Sequence, residues 1–427
     1  MIAWLLAGIA QAACTVISGA TVHTPAGPEK GTTVVVAGDR VSAVGRGLPD
    51  VKLQMNAEQQ VTGARFRDEP CRFVQAGGKH LSAGFVAVPS QLGLVEVSLE
   101  RGTRDDDART DDPIRASLRA VDAYDPRSTL IRVNRAEGIT SSVVFPSGAF
   151  VPGFAGFVQL DGDTQADAVV AREAALPIER PSGSLAEDLQ QIRELVEDAR
   201  RYRRSRNSYE ANVPYLDGMS RLDLQALRTV VDGQIPIGIY ADRASDIEAI
   251  IRLKTELDLE VMILGAAEGW RHAESLAWAE IPVIVSPLVY GPGSFDQREG
   301  RADNAALLAR AGVDVILTTE VFGGSHNARV LRQTAGNAVR GGMPHRMAIA
   351  AITEVPARVF GQPDRGRVAD GAKADLALWS GDPLELSTSL LELWIDGTSV
   401  DLRTRQTELA QKYLELPGTP VAPLTLE

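Results

Sequence analysis

Residues Ile235–Leu264, IPIGIYADRASDIEAIIRLKTELDLEVMIL, hold an apolar run of strand length, a helical stretch over Ala244–Asp258 and a second apolar run. The two runs, IPIGIYA and LEVMIL, are continuous rather than alternating. Strands read this way when a parallel sheet is covered on both faces. The same unit recurs outward along the chain. Further runs are GFVAV (84–88), ITSSVVF (139–145), GFVQL (156–160), IPVIVSP (281–287) and VDVILTT (313–319). Helices are predicted at Ala186–Arg204, Arg221–Asp232, His272–Trp278, Asn304–Ala311 and His345–Phe360. Alternation sustained over residues 81–360 predicts an α/β fold with a (β/α)8 TIM-type barrel. An open doubly wound sheet of the dinucleotide-binding kind would need a Gly-rich phosphate loop after the first strand, and none is present.

Both flanks of this region change character. Residues 14–80 alternate short β-rich runs with turns, and GTTVVVAGDRVSAVGRG sets a Gly-Asp turn between two apolar runs. Residues 361–402 are β-rich again, and LLELWIDGTSV reads as a hairpin with an Asp-Gly turn. The simplest arrangement is one small composite β-sandwich built from both ends of the chain. Residues 403–427 read as an amphipathic helix, TRQTELAQKYLE, followed by a Pro-rich tail.

The chain has 427 residues and a formal net charge of −12. This acidic balance offers no footprint for nucleic acid or an anionic membrane. Residues 1–13 combine an apolar run with the small-residue pattern Ala10-Gln11-Ala12, as a short secretory leader does. That predicts a periplasmic or secreted protein. Lys and Arg are missing near Met1, so a buried first strand or helix is the alternative. The run is too short to span a bilayer, which takes about 20 apolar residues. A lipoprotein anchored through Cys14 is the weaker reading, because Gln11 stands where such leaders carry Leu. Cys14 and Cys71 are the two cysteines; they could form one disulfide in an oxidising compartment or remain two thiols.

Three segments resemble the metal-dependent amidohydrolase superfamily, in its imidazolonepropionase-like branch. AGGKHLSAGFVAVPSQLGL (76–94) is similar to the pattern that leads into the first barrel strand. IPIGIYADRASDIEAIIRLKTELDLEVMILGAAEGW with IPVIVSPL resembles the middle of the barrel. GRVADGAKADLALWSGDPLE (366–385) is similar to the pattern that closes the composite domain. The resemblance spans nearly all of residues 15–400 and implies a barrel plus a composite β-sandwich. It also implies water activated on zinc or another divalent metal, held by histidines and carboxylates at the strand ends.

Position by position, those ligands are missing. The His-x-His pair falls on Pro89-Ser90-Gln91, with Ala87 where an Asp precedes it. The next two histidines fall on Tyr240 and Gly265, and the Asp after the last strand falls on Glu320. Proline has no side-chain donor, and a neutral amide is a poor zinc ligand. The resemblance also implies a Lys or Glu on a middle strand, and Gln159 is at or near that position. The histidines are His23, His80, His272, His326 and His345, and only His326 falls near the expected mouth. No His-Glu-x-x-His, Cys cluster or Gly-x-Ser-x-Gly elbow substitutes. Ser90 has no identifiable His partner, and Cys71 lies outside the barrel. No metal cofactor is expected. The residual catalytic candidates are Glu320, His326, Glu268 and Asp242, with Glu96, Arg101 and Arg243 expected close by. Three readings remain open. The first is a non-catalytic subunit of an active amidohydrolase paralogue or homo-oligomer. The others are a small-molecule binding protein and a carbon–nitrogen hydrolase with an unorthodox site.

Overall fold

The computed structural model describes residues 14–107, 112–180, 183–204, 219–319 and 325–414, with the backbone alone for 325–327. The leader-like segment 1–13, Glu320 and the tail after Leu414 lie outside the described residues, as does the side chain of His326. The chain forms two compact units, one from residues 1–84 and 364–399, the other from 85–363 and 400–427.

In chain order the strands begin with β1 (Cys14–Thr24), β2 (Gly27–Ala37), β3 (Arg40–Gly45), β4 (Val51–Met55), β5 (Val61–Phe66), β6 (Glu69–Gln75) and β7 (His80–Ala83). Then come β8 (Phe85–Ser90), β9 (Ile139–Val144), β10 (Ala155–Gln159), β11 (Val169–Ile178), β12 (Ile237–Ala241), β13 (Val261–Gly265), β14 (Val283–Val285) and β15 (Val315–Leu317). The last are β16 (Leu376–Trp379), β17 (Leu390–Ile395) and β18 (Thr398–Ser399).

In the first unit both chain ends share one sheet. β7 pairs with β1 on one side and with β16 on the other, so residues 80–83 belong here and not to the barrel. The two hairpins form, β2 with β3 and β17 with β18. Successive residues serve opposite faces, as the strand period of two requires. Ile17, Val34 and Val36 join one apolar cluster, while Val16 and Val35 join another that holds Cys14 and Cys71. Those cysteines are disulfide-bonded, with Cα atoms 4.8 Å apart. The ADL segment of the closing motif also has a physical role. Asp375 is buried and accepts from Arg365 at 2.6 Å, and Arg365 reaches Asp396 at 3.1 Å.

The second unit carries an eight-stranded sheet ordered β8 to β15 among the described residues, a nearly closed TIM-like barrel. β8 and β9 are parallel, and β11 to β15 are parallel throughout. β10 runs against both neighbours. β8 and β15 are bridged by a loop: Leu317 N donates to Ala351 O at 3.0 Å and Val86 N to Ile352 O at 2.8 Å. Side chains fill the interior, as in other barrels of this size. Val86, Val88, Val143, Phe157, Met262, Leu264, Ile284 and Ile316 form one cluster with Ala357 and Phe360. Helices Leu185–Arg204, Ala244–Leu257 and Asn304–Ala311 stand close to the predicted bounds. Helices Thr129–Arg135 and Leu331–Arg340, and strand β11, are additions to the predicted set. Among the described residues no helix is long and apolar enough to cross a membrane.

Candidate functional site

The strand ends of a barrel converge on one face, and there the second unit holds a cavity of about 960 Å³. Its wall is built from residues at and just beyond the strand ends. Ser147 and Gly148 come after β9, Glu179 and Arg180 after β11, and Tyr240 to Arg243 from β12 and its exit. Leu264 and Gly265 end β13, Ser286, Leu288 and Val289 come after β14, and Thr319 after β15.

Asp242 is fixed on three sides. Its Oδ2 accepts from Gln297 Nε2 at 2.8 Å, its Oδ1 from Ala267 N at 3.1 Å, and its backbone oxygen from Glu268 N at 2.9 Å. Burial raises its carboxyl above the usual range despite those bonds, and Asp296 and Glu268 add repulsion. Among the described residues the Glu179 carboxylate accepts from Gly148 N alone, at 3.2 and 3.3 Å to its two oxygens. Burial raises its carboxyl too, against the pull of that N–H, with Asp107 and Asp106 adding repulsion. Burial, reinforced by Glu179, pushes the Tyr240 phenol far above its ordinary range, so it stays neutral at physiological pH.

The two guanidiniums of the wall are already committed. Arg180 pairs with Asp188 at 3.0 Å and Asp246 at 2.9 Å, and it also donates to Tyr240 O at 3.2 Å. Arg243 pairs with Asp246 at 3.2 Å and Asp296 at 3.3 Å.

The positions expected to hold a metal do not suit one. Gln91 turns its amide to buried Asp106, donating at 2.5 Å, and Arg104 and Ser147 crowd the same carboxylate. Tyr240 offers a neutral phenol. Gly265 has φ +103°, a conformation that side chains other than glycine's rarely adopt, and a Cβ there would lie 2.6 Å from Asp242 Oδ1. The histidine expected at that place therefore has neither the backbone nor the space it would need. Among the described residues no group of three His, Cys, Asp or Glu is arranged to hold a metal ion. Glu320 and the His326 side chain are outside the described residues.

Several expected site residues are engaged elsewhere. Glu268 is buried, and its two oxygens accept Ala244 N at 2.9 Å and Glu299 N at 3.2 Å, so it ties a helix start to a loop. Glu96 holds Thr129 N at 3.1 Å at the start of the helix Thr129–Arg135 and does not line the cavity; nor does Arg101. Gln159 is displaced for a topological reason. Because β10 is reversed, its last residue lies at the end away from the cavity, where Gln159 donates to Asp167 O at 2.9 Å. His23 and His80 face each other at 3.0 Å in the first unit. His272 ends a short helical turn, and His345 opens a helix.

The sequence reading missed Glu179 and Arg180, because VVAREAALPI was not taken for a strand. The polar pair Arg172-Glu173 interrupts its apolar run, and only the second half is fully buried. The run ALPI ending in Glu-Arg was the available signal. Glu179 directly follows β11.

Residues 221–401 match the Amidohydrolase family. The chain is 23% identical over 364 residues to "Amidohydrolase tasK" of Hapsidospora irregularis, covering 76% of this chain and 36% of that protein. The chain thus spans about a third of that relative's length. It is 27% identical over 387 residues to an imidazolonepropionase of Paracoccus denitrificans, covering 84% of this chain and 90% of that protein. In fold it is similar to an amidohydrolase of Thermotoga maritima, with TM-score 0.76 at 23% identity over 91% of this chain and 100% of that one. It is more loosely similar to a zinc-bound adenosine deaminase of Xanthomonas campestris, with TM-score 0.52 at 15% identity over 93% and 97%. Barrel, companion β unit and these likenesses together define the class that the chain is similar to, the amidohydrolase superfamily. Within that class, the chain is similar to imidazolonepropionases.

Proposed function

We propose that this chain is a superfamily member without the superfamily's metal centre, which uses the barrel mouth to bind a small molecule. It acts as a binding protein or as a non-catalytic subunit beside an active paralogue or a second copy of itself. The observation that carries this reading is Gly265, where backbone conformation and the Asp242 carboxylate together exclude a ligand side chain. The relatives carry hydrolase names, so the reading sets this chain apart from them in chemistry rather than in fold. The test is elemental analysis of purified protein after incubation with Zn²⁺, Mn²⁺ or Fe²⁺. Well under one equivalent of metal is expected, and a stoichiometric amount overturns the reading. The disulfide supports an exported protein, since such bonds persist in oxidising compartments.

A second reading is favoured by one observation: Glu179 and Asp242, both with raised pKa, line one cavity. Such a pair can share acid and base roles. A carbon–nitrogen hydrolase of this kind would turn over dipeptides, cyclic imides or lactams, be insensitive to chelators, and lose activity in Glu179→Gln.

A further inference from the structure

We propose that the cavity at the strand ends takes a small organic cation, an ammonium or amidinium group on a flat apolar body. The inference rests on the reading of this cavity as a ligand site, and it adds the ligand's class.

Among the described residues the lining carries four carboxylates, Glu179, Asp242, Asp246 and Asp296, against two guanidiniums, Arg180 and Arg243. The guanidiniums do not balance the set evenly. Arg180 is spent on Asp188 and Asp246, and Arg243 on Asp246 and Asp296. Glu179 and Asp242 are left with neutral donors: a backbone N–H for Glu179, and a backbone N–H with an amide for Asp242. Neither has a cationic partner among the described residues. Asp106 and Asp107 lie near enough to Glu179 to repel its charge.

A desolvated carboxylate without a counter-ion is unfavourable, and a ligand cation relieves it. An anionic ligand would meet that repulsion directly. The rest of the wall gives the body of the ligand. Tyr240, Leu264, Leu288 and Val289 supply apolar surface beside the acids, a mix suited to an orienting charge on an apolar skeleton. Tyr240 adds an aromatic ring, which cations also favour.

The test uses the full chain and three near-isosteric probes that differ in charge: benzamidine as the cation, benzamide as the neutral form and benzoate as the anion. Isothermal titration calorimetry at pH 7.5 is expected to show benzamidine binding at least tenfold tighter than benzamide, with benzoate silent. Glu179→Gln with Asp242→Asn is expected to abolish the preference. A pH series on the wild type gives the same information without a variant. Because Glu179 and Asp242 must be ionised, affinity for benzamidine falls as pH drops through their raised carboxylate range. If benzamide or benzoate binds as tightly, the charge inference is overturned and the cavity remains a ligand site. If benzamidine is silent while a wider thermal-shift screen finds neutral or anionic ligands, the result is the same. If probes and screen are both silent, the ligand-site reading falls with it.

Discussion

Substituting Gly265 by alanine tests the central structural claim, because its cost has two separable parts. The first is conformational. At φ +103° any L-residue is strained, by about 1–2 kcal/mol. The second is a collision. The new Cβ would sit 2.6 Å from Asp242 Oδ1, 3.3 Å from its Cγ and 3.4 Å from Ala241 O. Asp242 must then swing away, weakening its bonds to Ala267 N and Gln297 Nε2. A hydrogen bond to a charged group is worth about 1.5 kcal/mol or more. Gly265→Ala should therefore lower stability by about 3 kcal/mol. Gly312 is the control in the same unit, since it has φ +94° and a Cβ added there would meet nothing within 4 Å. Gly312→Ala should lose only the conformational part, about 1–2 kcal/mol. Urea unfolding followed by circular dichroism measures both. In an Asp242→Ala background the collision is gone, and Gly265→Ala should fall to the level of the control. If Gly265→Ala costs no more than Gly312→Ala in the wild-type background, the claim that Asp242 seals this position is wrong.

The remaining predictions concern the buried charges and the crosslink. Asp375→Asn strips the main partner from buried Arg365 and should destabilise the chain by about 3–5 kcal/mol, against less than about 0.5 kcal/mol for exposed Lys52→Met; thermal unfolding compares them. Replacing Cys14 and Cys71 by serine opens a crosslink with a sequence separation of 57 and should lower the stability of the oxidised protein by up to about 4 kcal/mol, absent when both proteins are unfolded under reducing conditions. Glu179 has a raised folded pKa, so the folded state holds its proton more tightly than the unfolded chain does. Stability is therefore lost as pH rises from the ordinary carboxylate value through the raised one. Glu179→Gln escapes that loss: it should match wild type near pH 4 and exceed it at pH 7–8, and a variant less stable than wild type at pH 8 would contradict the assignment.

The sequence by itself determined the continuous apolar strands and the tight turns, because apolar runs and turn residues act locally; it did not give β11, whose run is broken by Arg172-Glu173, or the helices Thr129–Arg135 and Leu331–Arg340. IPIGIYA, LEVMIL and IPVIVSP are buried strands wherever they lie in the barrel, and the Gly-Asp and Asp-Gly turns close their hairpins without outside help. From the resemblance it also gave the expectation that Pro89, Gln91, Tyr240 and Gly265 fall where ligands would stand, a reading of donor chemistry that belongs to the residue and needs no partner to be judged. The tertiary structure decided everything that depends on which strand ends meet. It reversed β10 and so carried Gln159 away from the cavity, an outcome of strand pairing that no run of residues encodes. It brought Glu179 to the same wall as Asp242, although a long helix separates their strands along the chain, and committed Arg180 and Arg243 to other acids. It turned Glu268 from a candidate into a helix tether. Charge, burial and distance make a carboxylate reactive or inert, and those three are properties of the converged strand ends rather than of any segment read alone.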